Sequence, residues 1–391
     1  MVVQTERKRR QELGQFFTPV EVVKFMFDMV WPLLKGRRKP RVIDPACGDG
    51  QFLLEAVGRF KASKRKFEPS QIVGCDIDRR IESQWVENGL HLEGQMHPGQ
   101  NGLYGEDKTG SRAHLIEDSS FDLAIGNPPF GGVGVQHLAE LAKLLALKKE
   151  PEAAGPKVVQ TNLFEVARTL KVPASGSKEQ VIREEKESLG KDADLDDLRL
   201  LSRVLKHKYQ VWQRNSGLHG SAREPLLLSS ALHNNAKLQG DSIIIRVGGV
   251  EFKAFDLLTE KEVRRLSSFP IEVLFVERFL QLAKAGGYVA IIVPDGILAN
   301  ATMQHVRDFI AQRARVLAIV SLPRGTFKGM GTNAKTSVLV LEKSQGDANE
   351  SLERVYRRPV FLAVANYQPG LGEELEFIGS EFRLFTESGS L

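Results

Sequence analysis

Residues 41–60 limit what this chain can fold into more than any other stretch. Arg41-Val42-Ile43-Asp44 is a short apolar run of buried-strand type that ends in an acid. Pro45-Ala46-Cys47-Gly48-Asp49-Gly50 is a glycine turn, and Gln51–Phe60 has helical periodicity. Strand, glycine turn and helix in that order open a nucleotide-type βαβ unit. Gly48 and Gly50 let backbone come close to a ligand, and the helix start favours an anionic group. The dinucleotide fingerprint wants a further glycine three residues after Gly50, and Leu53 stands there. Asp44 and Asp49 also make poor neighbours for a pyrophosphate.

A ligand with an ammonium and a carboxylate but no phosphate suits this turn better, and S-adenosylmethionine is such a ligand. Gln71–Asp78 reads as a second strand ending in acid. Asp76 lies 32 positions after Asp44, within the span of a βαβ unit, where a carboxylate takes both ribose hydroxyls of an adenosyl group. A third strand is expected near Gly102-Leu103-Tyr104, followed by Glu106 and Asp107. Taken singly, each acid reads as a solvated loop carboxylate, and one glycine turn is weak evidence. The ordered set is much more specific.

The fourth strand is the apolar run Phe121–Ile125, followed by Gly126-Asn127-Pro128-Pro129-Phe130. Neither proline has an N–H, each fixes its own φ, and the first pushes Asn127 out of the helical region. The Asn127 amide is thus held beyond a strand end, offering a donor and an acceptor. Its oxygen and the Pro128 carbonyl can both accept from the exocyclic amine of a planar base, and Phe130 can stack on the ring. The plain alternative is a rigid turn with a packed Phe, which the acid and glycine pattern upstream makes less attractive.

Gly14–Glu21 reads as a loop entering a helix. Thr18 suits the N-cap, Pro19 the first helical position, and Glu21 completes a capping box. The helix runs to about Trp31. Residues 1–80 carry 17 Lys/Arg against 10 Asp/Glu, whereas the whole chain has a net charge of only +5. A basic end in a mildly charged chain fits contact with a polyanion, although charge runs alone are usually solvated faces. No apolar core follows Arg7–Arg10, so no secretory leader is expected, and no run reaches membrane-spanning length. Cys47 and Cys75 give neither a disulfide framework nor a metal pattern. A cytoplasmic protein without membrane association or a structural metal is the simplest expectation.

From about residue 136 to 265 the pattern changes to charged, helical stretches, with Ser242–Val247 and Val250–Phe255 as a hairpin around Gly248-Gly249. This reads as a largely helical insertion, whose lone histidines (His207, His219, His233) lack metal-ligand spacing. Alternation then resumes. A helix is expected over 271–284, closed by Gly286-Gly287. Strands are expected at Tyr288–Val293, Val316–Leu322 and Thr336–Leu341, with a helix at Met303–Arg313. The loop Pro323–Lys335 is rich in Gly and Lys and can touch a phosphate backbone or be a plain loop. The division is then 1–36 as a segment packing on the cofactor site, 37–135 with 266–343 as the catalytic domain, 136–265 as the insertion, and 344–391 as an extension without an assigned role.

The order Gly14–Pro19, Asp44–Gly50, Gly74–Asp76 and Asn127–Phe130 resembles the gamma-type amino-group DNA methyltransferases. Among these it is most similar to the modification subunit of type I restriction–modification systems, to which Gly287–Gly296 and Ser321–Phe327 are also similar. The resemblance implies an α/β, Rossmann-like class I methyltransferase fold, a mostly parallel sheet with one antiparallel strand. It implies S-adenosylmethionine as cofactor, held by Phe17 and Thr18 near the methionine end, by Asp44, Ala46, Gly48 and Gly50 at the turn, and by Asp76, Ile77 and Asp107 around the adenosine. Asn127 would touch both cofactor and base, and Asn127, Pro128, Pro129 and Phe130 would hold an adenine flipped out of DNA. Asp49 stands where the family usually has Thr or Ser. No target-recognition domain follows Leu341, so sequence reading is expected from a separate specificity subunit or from the insertion. The alternatives are N4-cytosine methylation, methylation of RNA or of a protein glutamine, and a non-catalytic subunit that keeps the fold to bind DNA or a partner.

Overall fold

The computed structural model describes residues 17–63, 67–90, 96–103, 116–130, 208–211, 236–239, 242–247, 250–253, 269–328, 333–345, 356–366 and 370–389. The chain divides into two compact units, residues 1–134 with 270–391, and residues 135–269.

In the first unit, helix α1 (Val20–Val30) precedes strand β1 (Val42–Asp44), helix α2 (Gln51–Ala62) and strand β2 (Ile72–Asp76). The short helix α3 (Glu82–Glu87), strand β3 (Met96–Pro98) and strand β4 (Phe121–Gly126) follow. The second unit contributes β5 (Ala236–Gln239), β6 (Ser242–Val247) and β7 (Val250–Lys253), paired antiparallel. β6 and β7 form the hairpin read from the sequence, and β5 adds a third strand. The helical stretches and histidines read within 136–265 lie outside the described residues.

The chain returns to the first unit with α4 (Ile271–Leu282), β8 (Ala283–Pro294), α5 (Asp295–Ala299), α6 (Gln304–Arg313), β9 (Ala314–Ser321), β10 (Thr336–Lys343), β11 (Phe361–Val364) and α7 (Leu371–Glu387). Its sheet has the order β11-β9-β10-β8-β4-β1-β2-β3. β10 runs antiparallel to both neighbours, and the other described pairings are parallel. This is the mostly parallel sheet with one antiparallel strand that the family resemblance implies. β1, β2 and β4 are buried at every position, as strands covered on both faces must be.

Parallel pairing brings the C-terminal ends of β1, β2, β4 and β8 to one sheet edge, where open α/β sheets bind ligands. Val42 pairs with both Ile72 and Leu123, and Gly126 pairs with Ile291. Asp44, Asp76 and Asn127 therefore emerge side by side. The opposite edge is tied by Asp122, which accepts from the Arg41 N–H at 2.9 Å and meets the Lys284 ammonium at 2.9 Å.

Four local expectations need correction. α1 begins at Val20, and Pro19, in extended conformation, holds the N-cap position without a side-chain cap. Its carbonyl accepts from Val22 and Val23, while Thr18 is buried, so no capping box forms. The third strand is Met96–Pro98, not 102–104. A three-residue edge strand containing proline leaves little signal. Residues 101–103 instead turn, with Asn101 Oδ1 accepting from the Leu103 N–H. Gly286-Gly287 does not close a helix. The helix stops at Leu282, the strand starts at Ala283, and the glycines lie inside it beside a register shift against β4. Gly286 has φ +69°, and a Cβ on Gly287 would stand 3.0 Å from the Phe121 carbonyl.

The fourth correction concerns the C-terminal stretch. β11 extends the sheet beside β9, and α7 packs along α1, where Gly379 faces the Phe25 ring. Leu375, Ile378 and Phe382 are buried on α7, and Phe361 of β11 meets the Phe382 ring edge-on at 5.4 Å.

Candidate active site

The turn between β1 and α2 takes its shape from two glycines in left-handed conformation, Gly48 at φ +50° and Gly50 at φ +85°. A Cβ on Gly50 would stand 2.3 Å from Leu90 Cδ1, and at φ +85° a side chain there is strained whatever the space. The turn is closed by the Gly50 N–H on the Cys47 carbonyl at 2.8 Å and hung from β2 by the Cys47 N–H on the Cys75 carbonyl at 2.9 Å. Gly48 is held from both sides. Its N–H donates to Asp76 Oδ2 at 2.9 Å, and its carbonyl accepts from the Trp85 indole Nε1–H at 2.7 Å. The Phe17 ring lies over Gly48, 3.5 Å from where a Cβ would be.

Asp76 spends one lone pair of each carboxylate oxygen on backbone, since Oδ1 also accepts from the Asp78 N–H at 2.8 Å. The next residue, Ile77, is exposed, an apolar platform beside that carboxylate. Asp44 is buried and accepts from the Ala46 N–H at 3.0 Å. Burial pushes its carboxyl well above the usual range against the pull of that hydrogen bond, and the charges of Asp76 and Asp49 push the same way. Three carboxyl groups around one turn favour a cationic ligand. S-adenosylmethionine, with its ammonium and sulfonium, fits them, whereas a phosphate does not.

Gly126 joins the two halves of the site. A Cβ there would stand 2.5 Å from Asp44 Oδ1. The Asp44 carboxyl is thus in contact with the backbone immediately before Asn127, and the glycine turn and the Asn-Pro-Pro-Phe segment share one corner. Asn127 and Pro129 are half-buried, and Pro128 is buried. Phe130 is buried too, its ring meeting Phe327 edge-on at 6.4 Å. Phe130 is thus one half of a packed aromatic pair. Cys47 is buried, and burial, then Asp44 and Asp76, push its thiol well above the ordinary range.

Phe17, Thr18, Asp44, Ala46, Gly48, Gly50, Asp76, Ile77 and Asn127 all lie along this edge, and Asp107 lies outside the described residues. Trp85 was not singled out from sequence. It grips Gly48 from 37 positions away, and no local pattern links the two. Phe327 was read only as part of the Ser321–Phe327 stretch. Its partnership with Phe130 depends on a loop between β9 and β10 crossing the sheet edge. Among the described residues there is no cluster of three metal-ligating side chains and no helix long and apolar enough to cross a membrane.

The sheet order and the glycine turn at its switch point define the class I S-adenosylmethionine-dependent methyltransferase fold. The family model for N-6 DNA Methylase matches residues 2–143 and 268–361, more than half the chain, and the chain belongs to that family. The type II methyltransferase M.VspI of Vibrio sp. (strain 343) is 43% identical over 118 residues, 30% of this chain and 26% of that protein. The type II methyltransferase M.BanIII of Aneurinibacillus aneurinilyticus is 27% identical over 184 residues, 43% of this chain and 30% of that protein. The type I restriction–modification methyltransferase subunit from Streptococcus thermophilus overlays with a TM-score of 0.43 at 14% identity, covering 96% of this chain and 58% of that one. The chain spans less than a third of the length of the curated relatives it matches.

Proposed function

We propose that this protein transfers a methyl group from S-adenosylmethionine to the N6 amino group of adenine in DNA. The observation that carries the reading is the contact of the Asp44 carboxyl with Gly126, which sets the cofactor turn beside Asn127. The N-6 family match supports adenine as the base. The bound cofactor supplies an electrophilic methyl on a sulfonium centre.

The chain's own residues do the rest. Asp44 pairs with the cofactor ammonium, Asp76 accepts from its ribose hydroxyls, and Ile77 packs against its adenine. Asn127 Oδ1 and the Pro128 carbonyl each accept one proton of the substrate amine, which leaves the nitrogen lone pair aimed across the corner. The neutral amine would take the methyl as the sulfonium C–S bond breaks, S-adenosylhomocysteine would leave, and the methylated amine would then lose its extra proton to solvent. Catalysis is then positioning and electrostatics, with no covalent enzyme intermediate. Phe130, backed by Phe327, closes the base side of the pocket. Work in a restriction–modification setting is in keeping with the type II methyltransferase relatives, and a separate specificity subunit to read sequence is part of the proposal.

The test is transfer of labelled methyl into DNA, followed by digestion to nucleosides. Label in N6-methyladenine supports the reading. Label in N4-methylcytosine keeps the site but changes the base, and no label in any nucleoside from a cofactor-binding preparation overturns it. Asn127→Ala should lower transfer at least about 100-fold, the scale seen when a single oriented polar group is removed from a reaction centre.

A further inference from the structure

We infer that the segment between β9 and β10 holds the DNA strand beside the extruded adenine, with the ammonium groups of Lys328 and Lys335 on its phosphates. The inference rests on the methyltransferase reading above and deepens it. Residues 322–336 include Arg324, Lys328 and Lys335 and no acid. Phe327, next to Lys328, meets the Phe130 ring at 6.4 Å, so this part of the segment lies against the Asn-Pro-Pro-Phe motif. Lys335 stands at the other end, one residue before β10. Gly126 pairs with Ile291 on β8, and Pro294 of β8 pairs with Thr336. Ordinary strand spacing and rise then put the Lys335 backbone roughly 16 Å from Gly126. Both lysines therefore stand at the sheet edge where Asn127 emerges.

Their charge is not spent inside the protein. Lys328 is exposed, and among the described residues its ammonium meets no carboxylate. The Lys335 ammonium meets, among the described residues, only Asp295, at 3.6 Å, with 38% and 30% of the two side chains exposed. Asp295 has a closer partner in the Ser337 hydroxyl, which donates to Oδ1 at 2.7 Å. An ion pair so long and so exposed holds little, and its ammonium can pass to a phosphate. The Lys335 backbone is nevertheless fixed, because its carbonyl accepts from the Asp295 N–H at 3.0 Å. Lys39, Arg59 and Lys284, by contrast, are committed to carboxylates at 2.6–2.9 Å. An extruded nucleotide brings its flanking phosphates to the rim of the pocket that takes the base. Contacts to those phosphates fix the strand in register without reading its sequence.

The test is the salt dependence of DNA binding. Affinity of the full chain for a fluorescent mixed-sequence duplex is measured by anisotropy at several salt concentrations, with calorimetric S-adenosylmethionine binding alongside. Each neutralised phosphate contributes about 0.9 to the slope of log affinity against log salt. Lys328→Gln and Lys335→Gln should each flatten the slope by that amount and weaken binding at low salt, with cofactor affinity as in wild type. Lys335→Arg should keep the wild-type slope. So should Lys61→Gln, which removes an exposed charge at the far end of α2, by the opposite sheet edge. A wild-type slope in either Lys328→Gln or Lys335→Gln overturns the inference. Equal flattening in Lys61→Gln overturns it too, since the attraction would then be diffuse, as does a wild-type chain that binds the cofactor but no duplex at low salt. A wild-type chain that binds no S-adenosylmethionine removes the methyltransferase reading itself, a different failure.

Discussion

At the residue scale, two side chains divide the chemistry. Asn127 serves mainly the base in the proposed reaction, so Asn127→Ala should weaken calorimetric S-adenosylmethionine affinity far less than it lowers transfer. Equal loss of both would make Asn127 a cofactor ligand only. Asp44 serves the cofactor, and its raised pKa gives pH a sign. A carboxyl lifted on folding contributes stability that is full below its unfolded value and is lost as pH rises through its folded value. Cofactor binding has the opposite slope, because only the ionised carboxylate pairs with an ammonium. Affinity measured across pH should climb through the lifted value in wild type and stay flat in Asp44→Asn. That variant can still accept from the Ala46 N–H. A parallel climb in both proteins would show that Asp44 does not face the ammonium.

At the element scale, strand ends place the site and two glycines test how tightly. Gly126→Ala would drive a methyl toward Asp44 Oδ1 at 2.5 Å, and overpacking of that kind costs about 1–3 kcal/mol. Gly58 on α2 has nothing within 4 Å of an added Cβ, and Ala in a helix interior gains about 0.5–1 kcal/mol over Gly. Thermal unfolding should move down for the first variant and up for the second. Two shifts of the same sign would mean that β1 and β4 end less tightly together than the register indicates. α7 carries a different lesson. Leu371, Leu375, Ile378, Phe382 and Phe385 repeat at helical spacing, but the surrounding glutamates make the stretch polar on average, and composition hides what periodicity shows.

At the scale of the whole molecule, the readable part of the sequence was the part encoded locally. Asp44, Asp76 and Asn127 each sit where an apolar strand stops, and strand, turn and helix signals are short-range, so the opening βαβ unit followed from them, while fold class and sheet character came from the family resemblance. Contacts that close over long sequence distances were not legible. The Trp85 grip on Gly48, the pressure of Gly126 on Asp44 and the Phe130–Phe327 pair all require the sheet to exist first. Phe130 shows the consequence: its residue type suggests a stacking ring, and only the folded chain shows that Phe327 packs against it.

The shared corner is tested most directly by a crystal structure with sinefungin, the cofactor analogue that carries an amine where the transferable methyl sits. Asp44 is expected on its amino-acid ammonium and Asp76 on its ribose. Its added amine should lie within about 3.5 Å of Asn127 Oδ1, the reach of reacting groups. Sinefungin bound with that amine facing away from Asn127, or seated elsewhere than the Gly48–Gly50 turn, would contradict the site described here.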